Sequence, residues 1–387
     1  MKMSEGLDKS ADAVIIGAGV NGTGIAYHLA KRGFTDVVVL EKSYLGYGAS
    51  GRNGGGVRQQ FSAEDNIKLA IESRKMFEKL PDELDTDVTF KQGGYLVLAF
   101  TDDEIEQFKK NVSLQNELGL DSKYITTEEA KEIVPELNVS NVKAATFCDT
   151  DGTIYPFPVV NGYTRAAREM GVEIKEHTEV TNIKKEGSEI KEVVTDRGTI
   201  KTDTVVNAAG GWSRKIAEML DVKLPNRPFR HEIMVTEPFK HFLDPMVISF
   251  HHGIYFSQTD HGNVVGGIGN PDEEPGLNTR SSFWFLREMS KTVVDLMPLF
   301  SGVNMIRQWA GFYDTTPDAQ PILGEVPNVD RFFQVNGFSG HGFMVSPMVD
   351  KITAEMILGE TPSMDVERLS IERFEGVDLE QEYSVVG

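Results

Sequence analysis

A glycine-rich turn near the start of the chain has the residue types and spacing of a dinucleotide-binding motif. Gly17, Gly19 and Gly22 follow the apolar run at 13–16 directly and precede a helical pattern. In such a turn the first glycine permits a tight bend, the second lets the backbone approach a pyrophosphate, and the third lets helix and strand pack closely. Glu41 ends the next predicted strand, where a carboxylate accepts hydrogen bonds from ribose hydroxyls. The motif therefore predicts NAD or FAD, because the acid argues against the 2′-phosphate of NADP.

Three further glycine-rich segments lie at 48–56, 207–213 and 337–344. Glycine has no side chain, so the backbone at these segments can approach a flat ligand closely. A second such loop soon after the first suits a ligand longer than NAD, and four sites in one chain favour a buried flavin. The alternative for the loop at 48–56 is a mobile surface loop.

The composition argues against several classes of protein. Lys and Arg number 39 against 59 Asp and Glu, which gives a formal charge of −20. Such a chain lacks the surplus of cations that binding to nucleic acids or anionic lipids needs. A single cysteine, Cys148, excludes an internal disulfide and a cysteine-rich zinc site, and no His, Asp and Glu set has metal-ligand spacing. No metal is therefore expected.

Location is predicted from what the sequence does not contain. Residues 1–10 are polar and lack the apolar core of a signal peptide. No run approaches the roughly 18–20 apolar residues that span a bilayer, so no transmembrane segment is expected. We expect the protein to be cytoplasmic, and any attachment to the periphery of a membrane to be through partner proteins.

Nucleotide-binding patterns alternate with β-rich stretches along the 387 residues, which indicates two interleaved domains. Four motifs then carry a family resemblance: GASGRNGG at 48–55, VVNAAGGWS at 205–213, TPDAQPILG at 316–324 and GFSGHGF at 337–343. Together they resemble the D-amino-acid oxidase and sarcosine oxidase family of FAD enzymes, over about residues 11–374. Within that family the chain is most similar to the β subunits of multi-subunit L-proline dehydrogenases and heterotetrameric sarcosine oxidases.

The resemblance implies a fold that is α/β and α+β, with a Rossmann-like FAD-binding domain interleaved with a mixed-sheet substrate domain. The FAD-binding domain is expected at 11–80, 145–220 and 318–374, and the substrate domain at 81–144 and 221–317. The expected cofactor-binding residues are Gly17, Ala18, Gly19, Gly22, Glu41, Lys42, Ser50, Arg52, Asn53, Gly54, Gly55, Val180, Ala209, Gly210, Trp212, Gly311, Gly340, Gly342 and Met344.

Two departures from the family concern how flavins are attached. Monomeric sarcosine oxidases link FAD through a cysteine in the region that here reads Trp309 to Tyr313, so we expect FAD to be non-covalent. Heterotetrameric sarcosine oxidases link FMN through a histidine where this chain has Pro156. The resemblance still allows a non-covalent FMN at a subunit contact, with His252 and Arg307 facing it.

The activity implied by the resemblance is oxidation of the C–N bond of a small secondary amino acid, such as L-proline or sarcosine, by hydride transfer to flavin N5. Arg58 matches the family arginine that binds the substrate carboxylate. Tyr255, Phe256 and Tyr313 are candidate pocket walls, and His341 lies in the loop expected at the pyrimidine end of the flavin.

The chain is expected to be the catalytic subunit of a complex, with a second flavoprotein subunit and an electron acceptor as partners. No lysine lies between Asp260 and Arg280, and Met344 stands where the family has another lysine, which favours a dehydrogenase over an oxidase. Two alternatives are a stand-alone oxidase of glycine, a D-amino acid or sarcosine, and a flavin- or NAD-binding scaffold without chemistry of its own.

Overall fold

Short runs of Val and Ile form the central strands of this protein, whose computed structural model describes residues 8–376 and 379–385. The helices in these residues are α1 (Val20–Ala30), α2 (Glu64–Phe77), α3 (Leu80–Leu84), α4 (Asp102–Glu117), α5 (Thr127–Ile133), α6 (Pro156–Glu169), α7 (Ser213–Glu218), α8 (Phe283–Leu296) and α9 (Gly342–Ile357). The strands are β1 (Lys9–Ser10), β2 (Ala13–Ile16), β3 (Val37–Leu40), β4 (Gly56–Val57), β5 (Phe90–Lys91), β6 (Tyr95–Ala99), β7 (Lys123–Ile125), β8 (Ala144–Cys148), β9 (Gly152–Ile154), β10 (Glu173–Lys175), β11 (Val180–Glu186), β12 (Glu189–Thr195), β13 (Gly198–Lys201), β14 (Val205–Asn207), β15 (Arg227–Thr236), β16 (Met246–Ser249), β17 (Ile254–Gln258), β18 (Val264–Ile268), β19 (Met305–Thr315), β20 (Ile322–Glu325) and β21 (Phe332–Asn336).

One sheet has the order β10-β3-β2-β14-β21-β20 and is parallel except for its last pair. Alternate residues of β2 enter two different cores. Ala13 and Ile15 pack with α1, α6 and α9, whereas Val14 and Ile16 pack against the four-stranded sheet β1-β13-β12-β11. Because both faces are covered, every residue of this strand is buried, as parallel sheets require.

A second, mixed sheet has the order β19-β15-β18-β17-β16-β6-β8-β7, and only the pair of β16 and β6 is parallel. One face packs on α8 through side chains such as Phe256 and Met289. The other face carries Tyr95, Ile233 and Tyr255 and looks toward the first sheet. The predicted combination of α/β and α+β architecture is confirmed.

The structure differs from the expected division into domains at one boundary. Strand β8 (Ala144–Cys148) pairs with β6 and β7, so it lies in the mixed sheet and not with the FAD-binding half that was expected to resume at 145. The strand is short and apolar, and such a run carries no signal of which sheet it joins.

Among residues 8–376 and 379–385, no helix is both long and apolar enough to cross a bilayer. Within the same residues, no cluster of three or more His, Cys, Asp or Glu side chains could hold a metal ion.

Candidate active site

A cavity of about 300 Å³ runs from the first glycine turn to the mixed sheet. It brings together most of the residues that the sequence predicted. The predicted residues that line it are Gly17, Gly19, Glu41, Lys42, Ser50, Arg52, Asn53, Gly54, Arg58, Val180, Ala209, Gly210, Trp212, Tyr255, Gly311, Tyr313, Gly340, His341, Gly342 and Met344.

Two positions of the first glycine turn, Gly17 and Gly22, require glycine. Gly17 has φ +108°, and a Cβ atom there would lie 2.4 Å from the carbonyl oxygen of Ala208. A Cβ atom on Gly22 would lie 1.9 Å from the carbonyl oxygen of Gly17. Gly19 caps α1 with no side-chain hydrogen bond, and the Ser50 hydroxyl accepts from the amide of Val20 at 2.9 Å. The positive end of the α1 dipole therefore faces the cavity, as diphosphate binding needs.

Glu41 lies where β3 ends and is held by backbone donors. Its carboxylate accepts from the amides of Ala18 at 3.1 Å and Ser43 at 2.8 Å. Burial is the main cause that raises the pKa of this carboxyl. Beside it, the Lys42 ammonium lies 3.6 Å from the centre of the Trp212 ring, which fixes both side chains by a cation–π contact.

The loop at 48–56 joins the two halves of the molecule. Arg52 donates to the carbonyls of Tyr47 at 2.8 Å and Ala310 at 2.9 Å, so this loop is tied to β19. The Asn53 side chain accepts from the amide of Gly55 at 2.7 Å. A Cβ atom on Gly55, which has φ +73°, would lie 2.2 Å from the carbonyl of Ile154.

A second helix N-terminus faces the same cavity. Helix α9 begins after His341, and a Cβ atom on Gly340 would lie 2.5 Å from the Tyr313 ring. His341 is 2% exposed, and neither of its ring nitrogens has a hydrogen-bond partner in the described chain. Burial lowers the pKa of this imidazole to about 4, so it is neutral near pH 7.

Arg58 lies at the opposite end of the cavity from Glu41 and is 4% exposed. Its guanidinium lies 4.2 Å from the Phe61 ring and 5.5 Å from the Phe250 ring. It donates to the carbonyls of Gln60, at 2.7 Å, and Ser384. No carboxylate of residues 8–376 or 379–385 lies within ion-pair distance of it. Burial lowers the pKa of the guanidinium, which nevertheless stays charged.

A buried carboxyl group positions the segment that carries Arg58. Asp151 accepts from the backbone amide of Gln59 at 2.8 Å and from the side-chain amides of Gln59 at 2.9 Å and Gln60 at 3.0 Å. Burial raises the pKa of Asp151 to about 6, and the hydrogen bonds from Gln60 and Gln59 oppose that shift. The Gln60 carbonyl that Arg58 binds is thereby fixed.

His231 was missed by the sequence reasoning, although it lines the cavity between two predicted walls. Its ring is stacked on Tyr313, with centroids 4.2 Å apart, and on Tyr255, with centroids 5.6 Å apart. Its Nε2 atom has no partner among the described residues, and burial lowers its pKa to about 3. A Cβ atom on Gly267 would lie 2.8 Å from this nitrogen, so the glycine keeps space open there. No local signal marks this residue, because its place opposite Gly311 follows from the register of β15 on β19.

The prediction for Phe256 was wrong. Adjacent residues of a strand point to opposite faces, so Phe256 points away from the cavity while Tyr255 faces it. Phe256 is fully buried against α8 and lies edge-on to Phe300 at 5.9 Å. Three predicted cofactor residues, Ala18, Gly22 and Gly55, support the lining from behind and do not form it.

The two residues expected to face FMN lie outside this cavity and apart from each other. His252 lies in the turn between β16 and β17, bonded to Ser249 at 2.9 Å. Arg307 is exposed on β19 and pairs in register with Val235. Three strand spacings of about 4.8 Å separate their strands, and they lie toward opposite ends of the sheet. The structure does not bring them together.

Several observations test whether the cavity fits FAD. A Cβ atom on Gly17, Gly22 or Gly55 would collide with backbone, and two helix N-termini face the cavity. His231 and His341, which line the cavity, have buried ring nitrogens without a partner among the described residues. Glu41 and Lys42 lie at one end and the aromatic wall at the other. These residues fit a long dinucleotide whose diphosphate lies at α1 and whose ring system lies near α9.

Comparisons with known proteins agree with this geometry. Residues 12–356 match the FAD dependent oxidoreductase (DAO) family. The sarcosine oxidase subunit beta of an Arthrobacter species is 33% identical over 381 residues, 97% of this chain and 94% of that protein. The crystal structure of L-proline dehydrogenase from P. horikoshii has a TM-score of 0.91 and 40% identity, covering 96% of this chain and 100% of that one. Glycine oxidase from Geobacillus kaustophilus, with a TM-score of 0.85 and 24% identity, shares the fold.

Proposed function

The chain belongs to the FAD dependent oxidoreductase family, and from this premise we propose that it is a dehydrogenase that oxidises the C–N bond of a small secondary amino acid such as L-proline. It is an FAD-dependent oxidoreductase of the amino-acid dehydrogenase or oxidase type. The observation that carries the choice of substrate is Arg58, a buried cation that shares one cavity with the FAD cradle and the stack of Tyr255, His231 and Tyr313.

Arg58 supplies the recognition of the substrate carboxylate. A guanidinium offers a planar pair of donors that matches both carboxylate oxygens, and a buried position strengthens that pairing. Its positive charge also lowers the pKa of a nearby substrate ammonium group, which favours the neutral amine that reacts.

His231 serves as an acceptor for the substrate amine. Because its pKa is about 3, the imidazole is neutral at physiological pH and accepts an N–H hydrogen bond without taking the proton. Burial also raises the pKa of Tyr255 and Tyr313, so both phenols keep their protons and form an uncharged wall. When bound, FAD supplies the two-electron acceptor for the hydride that leaves the carbon beside the nitrogen.

The N-terminus of α9 stabilises negative charge at the ring end of the cavity. Helix α9 has sixteen residues, and its first amides lie next to His341 and Met344 in the cavity lining. The positive end of a helix dipole favours an anion within the first turn. Non-covalent binding of FAD is consistent with Cys148, the one cysteine of the chain, which does not line this cavity.

The choice of a secondary amino acid is supported by the chemistry of the related proteins. Proline and sarcosine, named in two of the relatives, both carry an alkylated amine beside a carboxylate. The test is an anaerobic screen of flavin bleaching with L-proline, sarcosine, glycine and D-alanine. We expect L-proline to bleach the flavin at the lowest concentration. A flavin that no amine bleaches would instead identify a non-catalytic scaffold.

The choice between a dehydrogenase and an oxidase depends on which electron acceptor reoxidises the reduced flavin. Met344 lines the cavity at the position where the family can carry a lysine, and the strand β18 contributes no cation. Reduced flavin should therefore be reoxidised slowly by air and rapidly by an artificial dye. Equal rates with air and dye would favour a stand-alone oxidase.

The same premise leads us to place the chain in a complex with a second flavoprotein subunit. The support is that its relatives include subunits named beta of sarcosine oxidases. A non-covalent FMN at the contact is part of this proposal, with His252, in the turn between β16 and β17, and Arg307, on β19, as its expected contacts outside the FAD cavity. Native mass spectrometry of the complex from its source tests it, since a homomer with one flavin per chain would contradict it.

A further inference from the structure

Residues 379–385 cross the substrate end of the cavity and form part of its wall. Val385 lines the cavity together with Arg58, Tyr95 and His341. Ser384, which is 3% exposed, accepts a hydrogen bond from the Arg58 guanidinium through its carbonyl oxygen. The segment therefore reaches the side chain that recognises the carboxylate in the proposed function.

Glu382 anchors this segment to the start of α2. Its carboxylate accepts from the amides of Ser62 and Ala63, both at 3.0 Å, from the Ser62 hydroxyl at 2.5 Å and from the Asn66 side chain at 3.1 Å. A carboxylate at the N-terminus of a fourteen-residue helix is further stabilised by the helix dipole. The same carboxylate accepts from the amide of Ser384 at 2.8 Å, so the clasp also holds the residue whose carbonyl contacts Arg58.

The amide of Tyr383 strengthens the same clasp. It donates to the Ser62 hydroxyl at 2.7 Å, while the tyrosine side chain is 62% exposed. The backbone of this residue therefore holds the segment down, and its ring does not.

The contact between Ser384 and Arg58 competes with binding of a carboxylate. One terminal nitrogen of the guanidinium donates to Gln60 and the other to Ser384, so both terminal nitrogens already have a partner. A carboxylate that draws the guanidinium toward itself competes with these two carbonyls for its N–H groups. Gln60 is fixed by Asp151, whereas Ser384 belongs to an irregular segment. Hydrogen bonds from a guanidinium to a carboxylate are stronger than those to a neutral carbonyl. A substrate carboxylate therefore displaces the Ser384 carbonyl from Arg58.

Resting on the proposed function, we propose that residues 379–385 are a gate over the substrate site, closed by the Ser384 carbonyl on Arg58 and opened when a substrate carboxylate takes that carbonyl's place. The Glu382 clasp sets how often the gate opens. The segment also determines the size of substrate admitted, because Val385 is one of the side chains that enclose the site.

The test follows the binding of cyclopentanecarboxylate to the FAD-loaded protein by stopped-flow absorbance of the flavin. This probe has the carboxylate and ring size of proline but no nitrogen to oxidise. We expect the observed rate in the wild type to reach a plateau set by opening. Glu382→Ala should raise that plateau at least about tenfold, because hydrogen bonds to a charged group are lost.

A second pair of variants keeps Glu382 in place. Tyr383→Pro removes the N–H donor to Ser62 and should raise the plateau about fivefold, the effect of one hydrogen bond. Tyr383→Ala removes the same exposed ring, keeps the N–H group, and should leave the plateau at the wild-type value.

The outcomes separate the gate from the proposed function. A wild type whose flavin is neither perturbed by the probe nor bleached by L-proline overturns both the gate and the proposed function. A wild type that binds the probe, with the same plateau in Glu382→Ala and Tyr383→Pro, overturns the gate alone. A wild-type rate that rises linearly without a plateau also overturns the gate.

Discussion

The nucleotide end and the substrate end of the cavity recognise their ligands with different parts of the chain. At the nucleotide end, recognition rests mostly on the backbone, at Gly17, Gly19 and the first amides of α1. At the proposed substrate end, recognition is assigned to side chains: Arg58 and His231 come from different parts of the chain and line one cavity only in the folded protein. Cofactor binding therefore depends on local spacing, whereas substrate choice depends on how distant elements pack.

Removing a backbone feature at the nucleotide end should have the largest effect. Gly17→Ala places a Cβ atom 2.4 Å from a carbonyl oxygen at φ +108°, so we expect the purified protein to lose its FAD. Gly33→Ala is the matched control, since Gly33 lies just beyond the other end of α1 at φ +84° with no atom within 4 Å. It should keep its FAD and lose only about 1 kcal/mol of stability from backbone strain. A yellow Gly17→Ala protein with full flavin content would contradict the cradle.

Removing a side chain at the substrate end should spare the cofactor. Arg58→Ala should lower kcat/KM by about 30-fold to 5,000-fold, the equivalent of losing a buried charged partner worth roughly 2–5 kcal/mol. The flavin content should stay at the wild-type value. Arg287→Ala, on the exposed surface of α8, is the control and should change neither quantity. Loss of flavin together with activity in Arg58→Ala would break the distinction between the two ends.

His231 should contribute a smaller effect than Arg58. His231→Phe keeps an aromatic ring between Tyr255 and Tyr313 but removes the hydrogen-bond acceptor, so kcat/KM should fall about 5-fold to 100-fold, as for one buried hydrogen bond. Because the pKa of His231 is about 3, the profiles of wild type and variant between pH 5 and 8 should run parallel. An inflection present in the wild type and missing from the variant would show that His231 titrates during turnover.

The smallest effect on ligand binding is expected at Asp350, which lies in α9 against Gly24 of α1 and whose replacement acts on stability. Both of its oxygens lack partners in the described residues, and burial raises its pKa well above the usual 3.8. The unfolded chain ionises first, so this residue costs nothing below about pH 3.8 and increasingly destabilises the fold as pH rises toward the folded-state pKa.

Urea unfolding of Asp350→Asn measures this cost, because the amide keeps the shape and cannot ionise. The stability difference between variant and wild type should grow with pH, by at most about 1.4 kcal/mol per pH unit. Asp149→Asn, at an exposed position, should show no such trend. A difference for Asp350→Asn that is constant with pH would mean that the wild-type carboxyl does not stay protonated.

The same contrast explains what could be predicted from the sequence. The turn from Gly17 to Gly22 and the acid at Glu41 follow from spacing within one βαβ unit, so the nucleotide end was predictable. Arg58 was assigned to the substrate end through its match to a family arginine, and Tyr255 and Tyr313 were named as candidate pocket walls; all three line the cavity.

What was missed depends on register and on long-range packing. The face of Phe256, the place of His231 opposite Gly311 and the sheet joined by Ala144–Cys148 are set by strand pairing over many residues. The contact of Ser384 with Arg58 joins positions 326 residues apart. No local pattern of hydrophobicity or turn residues carries that information.

The central claim is that a carboxylate-binding arginine and an FAD cradle share one cavity and act on one small amino acid. It is tested most directly by anaerobic flavin reduction with L-proline and with pyrrolidine, which has the same ring and amine without the carboxylate. The account predicts that L-proline reduces the flavin at concentrations at least about 30-fold below those of pyrrolidine, since only L-proline can pair with Arg58. Equal reduction by both amines would contradict it.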